Sequence, residues 1–277
     1  MTEASAERST LDLCGHTLEI AVECSAAAAS GRDILFLSSG IWFAPDRDFA
    51  GALASLGRVT VPTHPGFGAA PVPHHLTAPD DLAYLYLDLV ERITAERKGK
   101  RDVVIVAGSF GAFIAAQMAI KSCQRIAGLV LIGPTGVKAG DRTDRDYVDL
   151  FAHTDAALAD LAFANPSAHR FDPVEAPQPA VLERVRAREA LARFVWQPYM
   201  HDPRLAGRLH RVSAPTLVLR GAQDRIVAGT CADLYAARIP GARLQIIEQA
   251  GHLPHVEQPA ATLAAIVDFV AELPGSR

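Results

Sequence analysis

The chain has 277 residues, 49% hydrophobic and 21% charged, with a formal net charge of −4. That length and apolar content suffice for one large core with a smaller attached unit. The absence of a basic excess argues against a nucleic-acid partner, and no run of like charge addresses an anionic membrane.

No apolar segment reaches the roughly 18 residues that a membrane span needs. The opening Met-Thr-Glu-Ala-Ser-Ala-Glu-Arg lacks the apolar stretch of a signal peptide. Cys14, Cys24, Cys123 and Cys231 are scattered and read as reduced packing thiols of an intracellular protein. The expectation is a cytoplasmic protein acting on a small-molecule substrate, with neither nucleic acid nor membrane as partner. Oligomeric state, a homodimer included, is left open by the sequence.

In chain order, the first ten residues read as a loose tail. Leu11 to Leu13 and Thr17 to Val22 predict two short strands of a hairpin around Gly15. Then strand and helix patterns alternate. Asp33 to Leu37 predicts a buried strand, Phe49 to Leu56 a helix, Arg58 to Val61 a strand, and Asp80 to Glu96 a long amphipathic helix. Arg101 to Val106 leads as a strand into a helix after Ser109, and Ile126 to Ile132 is another buried strand. Such alternation predicts an α/β fold with a mostly parallel sheet and helices on both faces. The near-continuous apolar runs suit parallel strands buried on both sides.

The alternation stops after Gly136 and resumes with a strand at Pro215 to Leu219. The gap of about 78 residues far exceeds the dozen or so that a crossover needs, so it holds an insertion. Tyr147 to Leu161 and Ala180 to Phe194 are helical in pattern, and the insertion carries Phe151, Phe163, Phe171, Phe194, Trp196 and Tyr199. It either buries its own aromatics or caps the site. The second reading is preferred, because ligands of open α/β sheets bind beyond the carboxyl ends of the strands, where this crossover starts. The resulting division is a core of 1–136 and 213–277 and a helical cap of 137–212. Helix Gly229 to Ala237, strand Leu244 to Ile247 and helix Ala260 to Leu273 complete the chain and bring the sheet to eight strands.

Ser109 stands in Val103-Val104-Ile105-Val106-Ala107-Gly108-Ser109-Phe110-Gly111-Ala112. Small neighbours there permit a sharp strand-to-helix turn that projects the hydroxyl. This is the nucleophile-elbow pattern, with Ala107 in place of its first glycine. A serine hydroxyl needs a base, and the base an orienting partner. Asp224 follows Leu217-Val218-Leu219-Arg220-Gly221, and His252 follows Leu244-Gln245-Ile246-Ile247. Singly, the three are an ordinary N-cap serine, turn aspartate and loop histidine. Together, in the order Ser109, Asp224, His252 and each after a buried strand, they read as nucleophile, orienting carboxylate and base.

The chain thereby resembles the α/β-hydrolase superfamily over nearly its whole length. The stretches that carry the resemblance are VVIVAGSFGAFIAAQMA, PTLVLRGAQDRIV, ARLQIIEQAGHLPHVEQPA and VTVPTHPGFGAAP, with the insertion at the family's cap position. Many members follow the third strand with His-Gly, whereas Ser38-Ser39-Gly40-Ile41-Trp42 stands here. By resemblance, the oxyanion hole uses the N–H of Phe110 and one from Ser39 to Ile41, Gly40 foremost; a hydroxyl of Ser38 or Ser39 is a candidate third donor. Ser38, Trp42, Phe151, Trp196 and Leu253 are the candidate substrate contacts.

His255 reads as a packing or capping residue of the last helix, and His64 as a structural loop histidine. No histidines have metal-ligand spacing, and PGFGAA lacks the strand-to-helix setting of a dinucleotide loop. Neither cofactor nor metal is expected. The favoured chemistry is hydrolysis of a carboxylic ester or related acyl bond through an acyl-serine. C–C hydrolysis of vinylogous diketones is the nearest rival, although members that do this carry Asn before the nucleophile and Trp after the base, where Gly108 and Leu253 stand here. A lyase, cyclase or cofactor-free oxygenase stays open because of Ser38-Ser39. A small-ligand receptor on the same scaffold is the alternative of another class.

Overall fold

The computed structural model describes residues 5–13, 15–24, 31–41, 43–95 and 102–274; Cys14 and the candidate contact Trp42 lie outside them. The strands are β1 (Ser5–Leu13), β2 (His16–Cys24), β3 (Arg32–Leu37), β4 (Gly57–Pro62), β5 (Val103–Gly108), β6 (Ile126–Ile132), β7 (Thr216–Gly221) and β8 (Arg243–Ile247). They make one sheet in the order β1-β2-β4-β3-β5-β6-β7-β8, antiparallel from β1 to β4 and parallel from there on. The helices are α1 (Phe43–Leu53), α2 (Pro79–Ala95), α3 (Ser109–Lys121), α4 (Asp155–Ala162), α5 (Gln178–Val195), α6 (Leu205–Arg208), α7 (Gly229–Arg238), α8 (Pro254–Glu257) and α9 (Pro259–Glu272).

Alternate side chains of the parallel strands feed two cores, as the period of two requires. Leu35, Leu37, Ile105, Leu129, Leu131 and Val218 point to the face covered by α2, α3 and α7. Ile34, Phe36, Val104, Val106, Val130 and Ile132 point to the face covered by α1 and α9. Helix α3 runs beneath both the sheet and the β6–β7 segment, and every residue from Ser109 to Ile120 is buried. A helix apolar all round is stable only in such a central place.

Three expectations are corrected. Ser5 to Thr10 form no loose tail but extend β1, paired residue by residue with β2 from Ser5↔Cys24 to Leu13↔His16. The edge is exposed from Glu7 to Thr10, so the ladder and not burial holds it, and no apolar pattern announces it. Helix α1 begins at Phe43, six residues before the expected start, with Asp46 in its first turn, where the helix dipole favours a carboxylate. The span from Tyr147 to Leu161 is helical only from Asp155. Tyr147 instead bridges to Val227, the Asp149 carboxylate takes the N–H groups of Phe151 and Ala152, and Thr154 caps α4 through Ala157 N–H. Polar side chains that capture nearby N–H groups compete with helix at such positions.

Among the described residues no helix is long and apolar enough to cross a membrane. A close backbone approach lies where α3 meets the end of β3. A Cβ on Gly111 would come 2.4 Å from the Leu37 carbonyl oxygen and 2.6 Å from that of Ser38. Gly111→Ala is therefore expected to destabilise the protein by about 1–3 kcal/mol, the usual cost of overpacking, measured as a lowered urea midpoint with an unchanged slope.

Candidate active site

At the carboxyl end of β5 the chain turns directly into α3, and Ser109 holds φ +42° there. A non-glycine residue in that region carries strain of about 1–3 kcal/mol and persists only where its surroundings fix it. Thr135 holds the turn, donating its N–H and Oγ–H to the Ser109 carbonyl at 3.5 and 3.2 Å. A Cβ on Gly108 would lie 2.2 Å from Ser39 Oγ, so only glycine fits before the serine.

His252 follows β8 and is fully buried, and Ser109 is 2% exposed. His252 Nε2 lies 2.8 Å from Ser109 Oγ, and Nδ1 lies 2.9 Å from Asp224 Oδ2. The other carboxylate oxygen of Asp224 accepts the N–H groups of Ile226 and Val227 at 2.9 and 3.0 Å. With the carboxylate fixed as an acceptor, Nδ1 is the donor and Nε2 presents its lone pair to the serine hydroxyl. Ser109, Asp224 and His252 are thus brought together as one chain of hydrogen bonds.

The histidine loop is held from two sides. His252 N–H donates to the carbonyl of Ala162 at the end of α4, at 2.7 Å. Glu257 of α8 accepts Gly251 N–H at 2.6 Å and, with its other oxygen, Asn165 N–H at 2.9 Å. Close passage of these backbones leaves no room for side chains: a Cβ on Gly251 would be 2.2 Å from the Ala162 carbonyl oxygen, and one on Gly221 1.9 Å from that of Gly251. The loop after β7 is tied down similarly. Ala228 N–H donates to Asp146 and Val148 N–H to Ile226, while Arg225 bonds the Asp160 and Phe163 carbonyls.

Opposite the serine runs the loop after β3. The Ser38 carbonyl accepts Gly111 N–H at 3.1 Å and His64 Nε2–H at 3.1 Å. Ser39 gives its N–H and its Oγ–H to Asp46, at 2.5 and 3.1 Å. Arg184 of α5 donates to the Ile41 carbonyl at 3.1 Å. Gly40, at φ +83°, packs so closely that a Cβ there would meet Phe110 Cβ at 3.3 Å. The expectation that Ser39 offers an oxyanion donor is therefore corrected: both its N–H and its hydroxyl are already spent on Asp46. Gly40 and Phe110 remain side by side at the uncapped start of α3.

His64 lies wholly inside, between Tyr86 and this loop. Burial pushes its pKa down to about 4, against the opposing pull of the Ser38 carbonyl and of Asp46. Burial also drives the Tyr86 phenol far above its ordinary range, so it stays protonated and donates to His64 Nδ1 at 2.6 Å. The neutral imidazole then passes a donor on to Ser38.

A cavity of about 680 Å³ is bordered by Ile41, Ala159, Phe163, Phe171, Ala187 and His255; it meets the loop after β3 at Ile41, and Ser109, Asp224 and His252 are not among its lining residues. Of the candidate contacts, Ser38 and Leu253 are buried next to the relay. Phe151 and Trp196 face each other at 5.7 Å, with Trp196 60% exposed. The insertion's aromatics at the cavity are Phe163 and Phe171, and Phe194 packs at 5.9 Å on Phe110. Sequence reasoning missed Asp46, Tyr86 and Glu257. Only Glu257 left a signal, standing five residues after His252 in the same short motif. Among the described residues no cluster of three or more His, Cys, Asp or Glu could hold a metal.

Comparison with known proteins gives a consistent picture. The family model described as "Alpha/beta hydrolase family" matches residues 31–266. A 2-hydroxymuconate semialdehyde hydrolase of Pseudomonas putida is 28% identical over 225 residues, covering 78% of this chain and 77% of that protein. A pimeloyl-[acyl-carrier protein] methyl ester esterase of Aromatoleum aromaticum is 27% identical over 198 residues, covering 61% of this chain and 74% of its own. Among solved structures, the 2-hydroxy-6-oxo-6-phenylhexa-2,4-dienoate hydrolase of a Rhodococcus superposes with a TM-score of 0.74 at 17% identity. That match covers 97% of this chain and 99% of the other and speaks to fold alone.

The buried neutral His64 has a measurable consequence. Between the ordinary value of 6.5 and about 4, the unfolded chain binds a proton that the folded chain refuses. Stability is therefore expected to fall as pH drops through that window, by about 3 kcal/mol in all. Urea unfolding at a series of pH values measures it, and His64→Gln should be less stable at pH 7 with a shallower slope from 6.5 downward.

Proposed function

The chain belongs to the alpha/beta hydrolase family, and we propose that within it the protein is a serine hydrolase that cleaves a carboxylic ester or related acyl bond of a small, partly apolar substrate. The observation that carries this reading is the buried relay of Asp224, His252 and Ser109, with both contacts below 3 Å. In the reaction, Ser109 Oγ attacks the carbonyl carbon as its proton passes to His252 Nε2. Asp224 holds the imidazolium that results. The carbonyl oxygen, now an anion, is received by the N–H groups of Phe110 and Gly40, each such donor being worth about 3 kcal/mol in the transition state. Collapse of the tetrahedral adduct expels the alcohol, protonated by His252. Water then attacks the acyl-serine by the same route, regenerating Ser109 and releasing the acid.

The segment 137–212 acts as the cap in this reading. It contributes Phe163 and Phe171 to a cavity of about 680 Å³ that meets the loop after β3 at Ile41, a volume in the range of small-molecule pockets. The esterase from Aromatoleum aromaticum supports ester chemistry. The relative from Pseudomonas putida, over more of the chain, supports a second reading, C–C cleavage of a diketone-type metabolite. Gly108 and Leu253 count against it, standing where C–C hydrolases of the family carry Asn and Trp.

Turnover of p-nitrophenyl acetate tests the first reading. Ser109→Ala is expected to lower kcat by about 10⁴-fold or more, and Asp224→Asn by about 10⁴-fold with little change in folding. Full activity in Ser109→Ala would remove the nucleophile. Turnover of a vinylogous diketone in clear preference to esters would move the assignment to C–C cleavage, and tight ligand binding without turnover of either would identify a receptor.

A further inference from the structure

Beneath the elbow lies a second set of buried polar groups that the relay does not use. Asp46 and His255 are each 1% exposed. The Asp46 carboxylate accepts three hydrogen bonds: from Ser39 N–H and Ser39 Oγ–H, and from His255 Nε2–H at 2.7 Å. Around them the setting is apolar, with the His255 ring 5.3 Å from Phe49 and 6.4 Å from Phe36. His255 Nδ1 has no hydrogen-bond partner among the described residues.

Burying a carboxylate costs several kcal/mol even when it is well bonded, and apolar side chains of similar volume fill such a place at no such cost. Stability alone therefore does not account for polar groups converging here from α1, from α8 and from the loop after β3. What they share is Ser39. Its Oγ occupies the place of a Cβ on Gly108, directly before the nucleophile, and that same would-be Cβ lies 3.5 Å from His255 Cε1. On either side of Ser39 the loop is already tied, at the Ser38 carbonyl by His64 and at the Ile41 carbonyl by Arg184. Asp46 holds the N–H end of the Ser38–Ser39 peptide, whose carbonyl His64 holds, and it also holds the Ser39 hydroxyl, so Ser39 is fixed where the Ser39–Gly40 peptide departs. The next N–H along the chain is that of Gly40.

We propose that Asp46, itself oriented by His255, is a positioning residue for the oxyanion hole: by binding Ser39 through both N–H and hydroxyl it fixes the residue from which the next peptide departs, and so aims that peptide's Gly40 N–H, together with Phe110 N–H, at the developing oxyanion. This rests on the reading of the chain as a Ser109-dependent acyl hydrolase. Donors aimed before the reaction begins stabilise the transition state without reorganising, so their loss falls on kcat and spares substrate binding.

The test compares wild type, Asp46→Asn, His255→Gln and Ser39→Ala with p-nitrophenyl acetate and with a trifluoromethyl ketone, whose hemiketal with Ser109 carries an oxyanion. Active sites are titrated so that rates refer to competent enzyme. Asp46→Asn keeps the shape but turns one acceptor into a donor facing Ser39 and His255. It should lower kcat about 10- to 100-fold with KM within about twofold, and weaken the ketone by the same factor as kcat/KM. Ser39→Ala, which retains the N–H bond, should lose less. A folded Asp46→Asn with unchanged kcat per site and unchanged ketone affinity overturns the proposal, as does a loss confined to KM. Should Asp46→Asn fail to fold, the same split read on His255→Gln, which leaves both Ser39 bonds in place but unanchored, decides in its stead. Ser109→Ala run alongside separates the two layers. If it turns over like wild type, the hydrolase reading falls and this proposal with it; if turnover needs Ser109 but ignores Asp46 and His255, only the positioning role falls.

Discussion

The turn from β5 into α3 obliges a residue with a side chain, Ser109, to hold a positive φ, and the neighbouring structure is arranged around that requirement. The residues flanking the turn must give way to the loop after β3. Gly111 yields to the carbonyls of Leu37 and Ser38, and Gly108 to the hydroxyl of Ser39. The strained turn is affordable because α3 is buried from end to end, so its packing offsets a local cost of about 1–3 kcal/mol. In return the serine hydroxyl stands clear of its own helix, at the end of the sheet where the loops after β7 and β8 also emerge.

Those loops supply groups that are weak on their own. A histidine without a fixed tautomer is a poor base, and an aspartate without donors is poorly placed to fix it. Here the Asp224 carboxylate is filled by two backbone N–H groups and one imidazole N–H, which leaves a single arrangement of protons along the relay. The loop after β3 follows the same logic with different parts, each residue from Ser38 to Ile41 being bonded or packed by a different element. The geometry of both loops is thus set by groups whose own partners lie one layer further out.

Much of the architecture was legible in the chain, because parallel strands buried on both faces leave unbroken apolar runs such as Val103 to Ala107 and Ile126 to Ile132. The order of Ser109, Asp224 and His252, each just past such a run, was legible for the same reason. The polar edge strand was not, since β1 draws its stability from a ladder with β2 that no periodicity of its own reveals. Nor was Asp46: within Asp46-Arg47-Asp48 it looks like one more surface acid, and its burial depends on Ser39 and His255, distant in sequence. Phe151 and Trp196 were conspicuous by type, yet they pair with each other while less prominent aromatics border the cavity. Hydrophobic patterning discloses which elements form; it carries little about which polar groups meet.

The segment between β6 and β7 does more than cover the sheet. Its α4 ends in the carbonyl that receives the backbone N–H of His252, and its Asn165 shares the Glu257 carboxylate with Gly251. Its opening stretch is bridged to the loop of Asp224. His252 and Asp224 are therefore seated in a socket of which this segment is one wall. The segment and the loops after β7 and β8 thus share one set of hydrogen bonds, and the wall and the socket are built as a single unit.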